Sequence, residues 1–500
     1  MDKNAYPTFD FSPWSLSGVV YGALLNSTQQ LLELGEAVNE SPYKAPPKFP
    51  VLQVRPRNTL CKSGSEIAIP DEPGLVNVGV SLGIIIGKVA CKVSEAHASA
   101  VIAGYVLVAE LGLPCESHYR PAVRFMARDN FTVIGPVIAA QHLDSPDAQS
   151  VIIRIDGTEV ANCLDGNRVR NVAALIEAVT EFMTLQPGDV LLLGACGPSV
   201  RASAGQAVSA EMPGLGTLNF SLTQEGSITK TATGVHAQTT AHITRTPTAR
   251  VAYAGGVHTA TPHPQGLQLA DGRVLQEKDV QWLPPIEVGT ILALGLNYAD
   301  HLKELSKELT VTSKDEPLVF MKGPGSLAGH RGLTRRPAGV QFMHYECELA
   351  VVIGKTAKNV KREHAMDHVA GYTVCNDYAI RDYLENWYRP NLRVKNRDGA
   401  TALGPWFIPA SMVANPHALA LSTRVNGKLT QDGSTANMVN DIPALIEYLS
   451  SFMTLQSGDV ILTGTPEGVV NVNEGDEVVC EIEGIGRLVN TIVGDALFGR

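Results

Sequence analysis

No run of five or six like charges occurs anywhere in the 500 residues, and charged side chains make up only 18% of them. With 50 acidic against 40 basic residues and a net charge of −10, the chain lacks the basic stripe that tracks a phosphate backbone, which argues against nucleic-acid binding. The eight cysteines (61, 91, 115, 163, 196, 347, 375 and 480) form no C-x-x-C pair and no regular spacing. That excludes a disulfide scaffold and structural zinc, and it suits a reducing compartment. The opening segment, MDKNAYPTFDFSPWSLSG, has no basic stretch followed by an apolar one, and no apolar run approaches the ~18 residues of a membrane span. A cytoplasmic protein without a membrane partner is therefore expected. There is also no G-x-G-x-x-G after a strand, no P-loop and no G-x-S-x-G elbow, so nucleotide-binding and serine-hydrolase readings lack their first requirement.

What is present is 44% hydrophobic residues with 46 Gly and 30 Pro, the composition of a globular, turn-rich chain of about two to four domains. The chain repeats itself. AALIEAVTEFMTLQPGDVLLLG (173–194) lies over PALIEYLSSFMTLQSGDVILTG (443–464) without a gap at an offset of 270, with 14 of 22 positions identical. The register extends backwards, HYRPAVRFMARDNFTVIGP (118–136) onto WYRPNLRVKNRDGATALGP (387–405) and SLGIIIGKV (81–89) onto ELAVVIGKT (348–356). Residues 1–222 and 266–500 are the expected copies. The Thr/Ala/Gly/His/Pro-rich stretch 223–265 is expected to be a linker or extended arm. Within each copy the pattern is α+β and β-dominated: ELAVVIGK and DEVVCEIEG read as strands, and VNDIPALIEYLSSF as an amphipathic helix with Pro443 in its first turn.

The chemistry concentrates in the second copy. Glu346 and Glu348, two apart on an expected strand, share a face. Asp377 closes an apolar run in GYTVCNDYAIRDY, the placement of a strand end that delivers a side chain into a cavity. Three carboxylates without a histidine or thiolate suit a hard dication such as Mg²⁺ or Mn²⁺. Alternating acids on an edge strand can equally be a solvated face. His301 and Glu304 share a face if LGLNYADHLKELSKEL is helical, and a carboxylate beside an imidazole makes a proton shuttle. Lys322, Arg381, Arg393 and Lys395 could offset an anionic substrate, with TGTPEG (463–468) a hydroxyl-bearing turn. His364 and His368 in EHAMDH could suggest zinc, but no third ligand lies nearby and an exposed face is the simpler account.

In this order, GLNYADH, PLVFMKGPGSL, ECELAVVIGK, GYTVCNDYAIRDY and TGTPEGV resemble the fumarylacetoacetate hydrolase family over about residues 270 to 498. The resemblance implies a tandem duplication of that family's mixed β-roll or sandwich domain. It also implies Glu346, Glu348 and Asp377 as ligands of Mg²⁺ or Mn²⁺, and His301, Glu304 and Lys395 as catalytic groups. Lys322, Arg381, Thr465, Asn297 and Tyr298 are implied as substrate-binding, with Arg389 and Arg393 as weaker candidates for distal carboxylates. The implied substrate is a small 2-oxo di- or tricarboxylate. The implied reactions are decarboxylation of 5-oxopent-3-ene-1,2,5-tricarboxylate and isomerisation of 2-hydroxyhepta-2,4-diene-1,7-dioate to 2-oxohept-3-ene-1,7-dioate. One departure is Leu384, where many relatives carry a substrate-binding Gln. C–C bond hydrolysis of acylpyruvate-type substrates, or a non-catalytic scaffold, are the alternatives.

The first copy has lost this constellation. Glu346 and Glu348 align with Gly79 and Ser81, Asp377 with Glu110, Lys395 with Met126, Lys322 with Arg55, His301 with Gln30, and TGTP with LGAC (193–196); Glu33 alone answers Glu304. The first copy is therefore expected to be catalytically silent and structural, supplying a pseudo-dimer partner within the chain.

Overall fold

The structure is a computed structural model that describes residues 18–164, 167–197, 199–226, 245–300 and 316–495. The chain forms two units, one of residues 1–236 with 385–391, the other of residues 237–384 with 392–500. The segment 385–391 thus belongs with the first repeat, although its sequence continues the second. There Trp387 stacks on Tyr43 at 4.0 Å and donates to the Ala45 carbonyl at 2.9 Å, while the Arg389 N–H bonds the Tyr119 carbonyl at 2.7 Å.

Strands dominate, and each unit is built on the same sheet. In the second unit it runs Leu318–Lys322, Ile291–Gly295, Val460–Leu462, Cys347–Ile353, Val369–Asp377, Thr401–Pro409, Leu327–Ala328. In the first the order is Val51–Arg55, Val20–Leu24, Val190–Leu192, Leu75–Ile86, Ile102–Gly112, Thr132–Ala139, Leu60–Lys62. The central strands read as near-continuous apolar runs because both of their faces are covered: all seven residues of Cys347–Ile353 are buried. A second, five-stranded sheet completes each repeat, Gly332–Arg336, Gly486–Gly494, Glu477–Ile482, Ala420–Val425 and Lys428–Ser434 in the second.

The best-conserved stretch between repeats explains itself physically. Helix Ile442–Phe452 buries Ile442, Leu445, Ile446, Leu449 and Phe452, a single stripe. Its N-terminus is capped by Asp441, which accepts from Ala444 N–H, with Pro443 in the first turn where its missing N–H costs nothing. Helix Val172–Thr180 is capped the same way by Asn171. After each helix an aspartate ties the turn: Asp459 accepts from the N–H groups of Thr290 and Gln456, both at 2.7 Å, and Asp189 from those of Val19 at 2.7 Å and Gln186 at 2.8 Å.

Of the expected linker 223–265, residues 227–244 lie outside the described residues, and the described remainder needs correction. Residues 223 and 224 end a strand of the first unit, and 249–263 form the strands Ala249–Tyr253 and Gly256–His263. Together with Gly266–Leu269, Val274–Leu275 and Gln281–Leu283 they make a five-stranded sheet around Val251, Leu267, Leu269 and Trp282. The reason is local: Ala254 and Gly255, both at positive φ (48° and 81°), form a two-residue hairpin loop that pairs Tyr253 with Gly256. Small Ala and Thr side chains hid the alternation. His364 and His368 sit on a 3₁₀ helix, Arg362–His368, whose three-residue turn puts positions four apart on different faces, and His364 pairs with Asp367. Among the described residues no helix is long and apolar enough to cross a membrane.

Candidate active site

The second unit gathers the expected acids. Glu348 lies on the central strand Cys347–Ile353, Glu346 just before it, and Asp377 ends the adjacent antiparallel strand, its N–H bonded to the Glu346 carbonyl at 2.9 Å. One carboxylate oxygen from each lies within 4.8 Å of the others. Asp377 is fully buried, Glu348 is 1% exposed and Glu346 is 8% exposed.

Cations surround two of the three acids. Lys395, from the short helix Leu392–Lys395, reaches Glu346 at 2.6 Å and Asp377 at 2.8 Å. Lys322, at the end of Leu318–Lys322, contacts the other Asp377 oxygen, and Arg381 binds Glu346 at 3.0 Å. Burial works against the charge on Lys395, but Asp377 and Glu346 outweigh it and hold the ammonium above its usual range. On Lys322 burial prevails over Asp377 and the pKa falls.

Glu348 is different. Its carboxylate accepts the Gly464 N–H at 2.7 Å and has no ion-pair partner among the described residues. Burial, then the charges of Asp377 and Glu346, push its pKa well above the carboxylate range. A buried carboxylate facing two others, with only one backbone donor, is the environment a hard dication relieves, so the donor set fits an Mg²⁺- or Mn²⁺-like ion.

The TGTP turn is locked around that bond. Gly464 has φ +87°, and a β-carbon there would lie 3.1 Å from Asn297 Cβ and 3.3 Å from the Leu294 carbonyl. Gln431 donates to the Thr465 hydroxyl at 2.9 Å and to the Pro466 carbonyl at 2.8 Å, which places Thr465 beside the acids with its hydroxyl oriented. Gln431 escaped sequence reading because its partners lie 34 and 35 positions away with no local motif. So did Asn396, whose side chain accepts the Gly323 N–H at 2.6 Å and ties the Lys395 helix to the residue after Lys322.

The remaining expected site residues divide between structural roles near the acids and places away from them. Asn297 is 2% exposed, and its amide donates to the carbonyls of Thr463 at 2.9 Å and Asn440 at 3.0 Å. Asn26 makes the equivalent bonds, to Leu193 at 2.9 Å and Arg170 at 2.8 Å, in the copy without the acids. Asn297 thus fastens a turn rather than presenting a free amide to substrate. Tyr298 is fully buried. Arg389 belongs to the first unit, where it donates to Asn386 at 2.8 Å. Arg393 lies over the Tyr383 ring at 3.9 Å, with Arg397 5.4 Å from the same ring, a clamp between the Lys395 helix and the turn that carries Arg381. His301 and Glu304 lie outside the described residues.

Asn297→Ala removes both donors from one buried and one part-buried carbonyl, at a cost of about 2–4 kcal/mol. Asn26→Ala is expected to cost about as much. Only the first variant should weaken divalent-ion binding, because only its turn delivers Gly464 to Glu348. Paired melting curves and metal titrations check this, and equal loss of metal affinity in both variants would refute it.

The first unit shows what replaced the acids. Gly79 pairs with Glu110 in the register that sets Glu346 against Asp377. A side chain at 79 would run into Ala195, with Cβ atoms 2.7 Å apart. Arg55 binds Glu110 at 3.1 Å and the Met126 carbonyl at 3.3 Å, thereby covering the places of both lysines, and Gln53 and Ser81 also donate to Glu110.

The model of the fumarylacetoacetate hydrolase C-terminal domain matches residues 19–223 and again 290–493. The 4-hydroxyphenylacetate degradation bifunctional isomerase/decarboxylase of Escherichia coli is 42% identical over 480 residues, which cover 96% of this chain and 99% of that protein. The protein of the same name from Salmonella dublin is 42% identical over 478 residues, 96% of this chain and 99% of its own. Among solved structures, the 5-carboxymethyl-2-hydroxymuconate delta-isomerase from Mycobacterium smegmatis is 34% identical, with a TM-score of 0.44 over 50% of this chain and 99% of its own. With the domain matched twice and relatives aligned end to end, the chain belongs to the fumarylacetoacetate hydrolase family.

Proposed function

We propose that the second copy decarboxylates 5-oxopent-3-ene-1,2,5-tricarboxylate and isomerises 2-hydroxyhepta-2,4-diene-1,7-dioate to 2-oxohept-3-ene-1,7-dioate, in 4-hydroxyphenylacetate breakdown. The observation that carries this reading is the buried cluster of Glu346, Glu348 and Asp377 beside Lys322, Lys395 and Arg381, in a chain aligned over nearly its whole length with the bifunctional isomerase/decarboxylase. Both reactions build negative charge on the same 2-oxo oxygen, since the departing carboxylate is vinylogously β to that ketone. One site can therefore serve both.

Glu346, Glu348 and Asp377 would hold Mg²⁺ or Mn²⁺, which supplies Lewis-acid stabilisation of that developing charge. Lys395 and Lys322 keep two of the acids compensated in buried surroundings, where a fixed cation acts strongly on an anionic substrate. Arg381, the more exposed of the three cations, is placed to meet a substrate carboxylate. Thr465, oriented by Gln431, offers a hydroxyl next to the Gly464 that bonds Glu348. Proton transfer is assigned to His301 with Glu304 on the family resemblance. The first copy is silent at the equivalent position, because Arg55 already balances Glu110 and Gly79 has no room for a ligand.

The test is an ultraviolet assay of the full chain with Mn²⁺ or Mg²⁺ on the tricarboxylate, the 2-hydroxydienedioate and a set of acylpyruvates. Turnover of the first two, abolished by chelator and restored by metal, is expected. Hydrolysis of acylpyruvates with the dienedioate untouched would overturn the reading in favour of a C–C hydrolase.

A further inference from the structure

Cys163 and Cys196 of the first unit meet at a contact the repeat builds twice. Cys163 lies on the strand Thr158–Leu164, paired with Val151, and Cys196 lies in the turn after Val190–Leu192. Their counterparts in the second unit are Gly433, paired with Leu421, and Pro466. There a β-carbon on Gly433 would sit 2.9 Å from Pro466 Cβ. The fold thus sets these two positions side by side, and a disulfide asks for Cβ atoms about 3.5–4.5 Å apart. In the first unit, where both carry side chains, Cys163 Sγ lies 3.4 Å from the Cys196 carbonyl oxygen.

We propose that Cys163 and Cys196 are a peroxide-oxidised modification site that closes to a reversible disulfide within the silent copy. Cys163 is partly exposed and Cys196 is 4% exposed, an attacking thiol in front of a sheltered resolving one. The hydrogen bond shared with Cys196, helped by the nearby Arg168 guanidinium, pulls the Cys163 thiol down to about 7. Arg168 itself is held by the turn, donating to the Leu193 carbonyl at 2.9 Å and the Gly194 carbonyl at 2.8 Å. Cys61, Cys347, Cys375 and Cys480 are buried, and burial raises Cys61 to about 12 and Cys115 above its usual range.

The chemistry balances with hydrogen peroxide as the oxidant. The Cys163 thiolate attacks one peroxide oxygen, the O–O bond breaks, and the hydroxide released takes up a proton to leave as water. The Cys196 sulfur then attacks the resulting sulfenic acid. An S–S bond forms, the S–O bond breaks, and a second water departs with the Cys196 proton. Two thiols lose two electrons, and one peroxide becomes two waters.

The experiment treats the full-length protein with increasing hydrogen peroxide and maps peptides under non-reducing conditions. A linked pair containing Cys163 and Cys196 should accumulate first, disappear with dithiothreitol, and raise the melting temperature of the oxidised protein. C196S should stop at a dimedone-reactive sulfenic acid on Cys163, whereas C163S should show neither link nor label at Cys196. On the unaltered chain, iodoacetamide at neutral pH should label Cys163 about tenfold faster than Cys91 or Cys115. Oxidation of Cys91 or Cys115 ahead of Cys163, or conversion of Cys163 to its sulfinic acid while Cys196 remains a thiol, would overturn the proposal.

Discussion

Glu348→Ala is expected to eliminate tight divalent-ion binding and to lower decarboxylation and isomerisation together, each by about 10³-fold. The side chain is 1% exposed and, among the described residues, bonds only the Gly464 N–H. Its loss therefore leaves a small buried hole with one orphaned donor, and water entering it brings no charge. Isothermal titration with Mn²⁺ should fall from one site per chain to none, while far-ultraviolet circular dichroism stays that of the parent. Both activities should disappear in parallel. If isomerisation persisted while decarboxylation vanished, the two reactions would need separate centres, and the shared-site reading would fail.

Lys395→Met is expected to part binding from turnover. Methionine fills much the same volume but withdraws the cation that touches Glu346 at 2.6 Å and Asp377 at 2.8 Å. Mn²⁺ affinity should hold or rise, because a competitor for those oxygens is gone. Turnover should fall about 10²–10³-fold, because a fixed positive charge no longer faces the substrate. The ion-free protein should also lose about 3–5 kcal/mol, the cost of stranding buried carboxylates, and recover when metal is added. Thermal melts with and without Mn²⁺, beside steady-state rates, separate these effects. Activity within about tenfold of the parent would show that Lys395 is no part of the chemistry.

The duplication and the acids were legible because both leave local marks. Fourteen identities in 22 residues reflect a capped helix and an aspartate-tied turn that each copy needs to join its sheet. The alternation of Glu346 and Glu348, and an apolar strand ending on Asp377, are periodicities that a single sequence displays. What stayed hidden depends on partners far away along the chain. Gln431 reaches Thr465, Asn396 reaches Gly323, and the segment carrying Arg389 packs on Tyr43 and Tyr119 of the other repeat's sequence. Asn297 stood beside the motif and looked like a binding group, and only its twin Asn26 shows that the fold itself requires it. The 249–283 sheet was missed because small residues blur alternation, although the Ala254–Gly255 hairpin was a readable signal.

Arg55 is a counter-charge that cannot diffuse away. Covalently fixed over Glu110, it compensates the buried carboxylate of its half of the chain whatever the mineral content of the surroundings. Scarcity of ion would then leave that half as it stands, its charge balance built into the chain rather than drawn from solution.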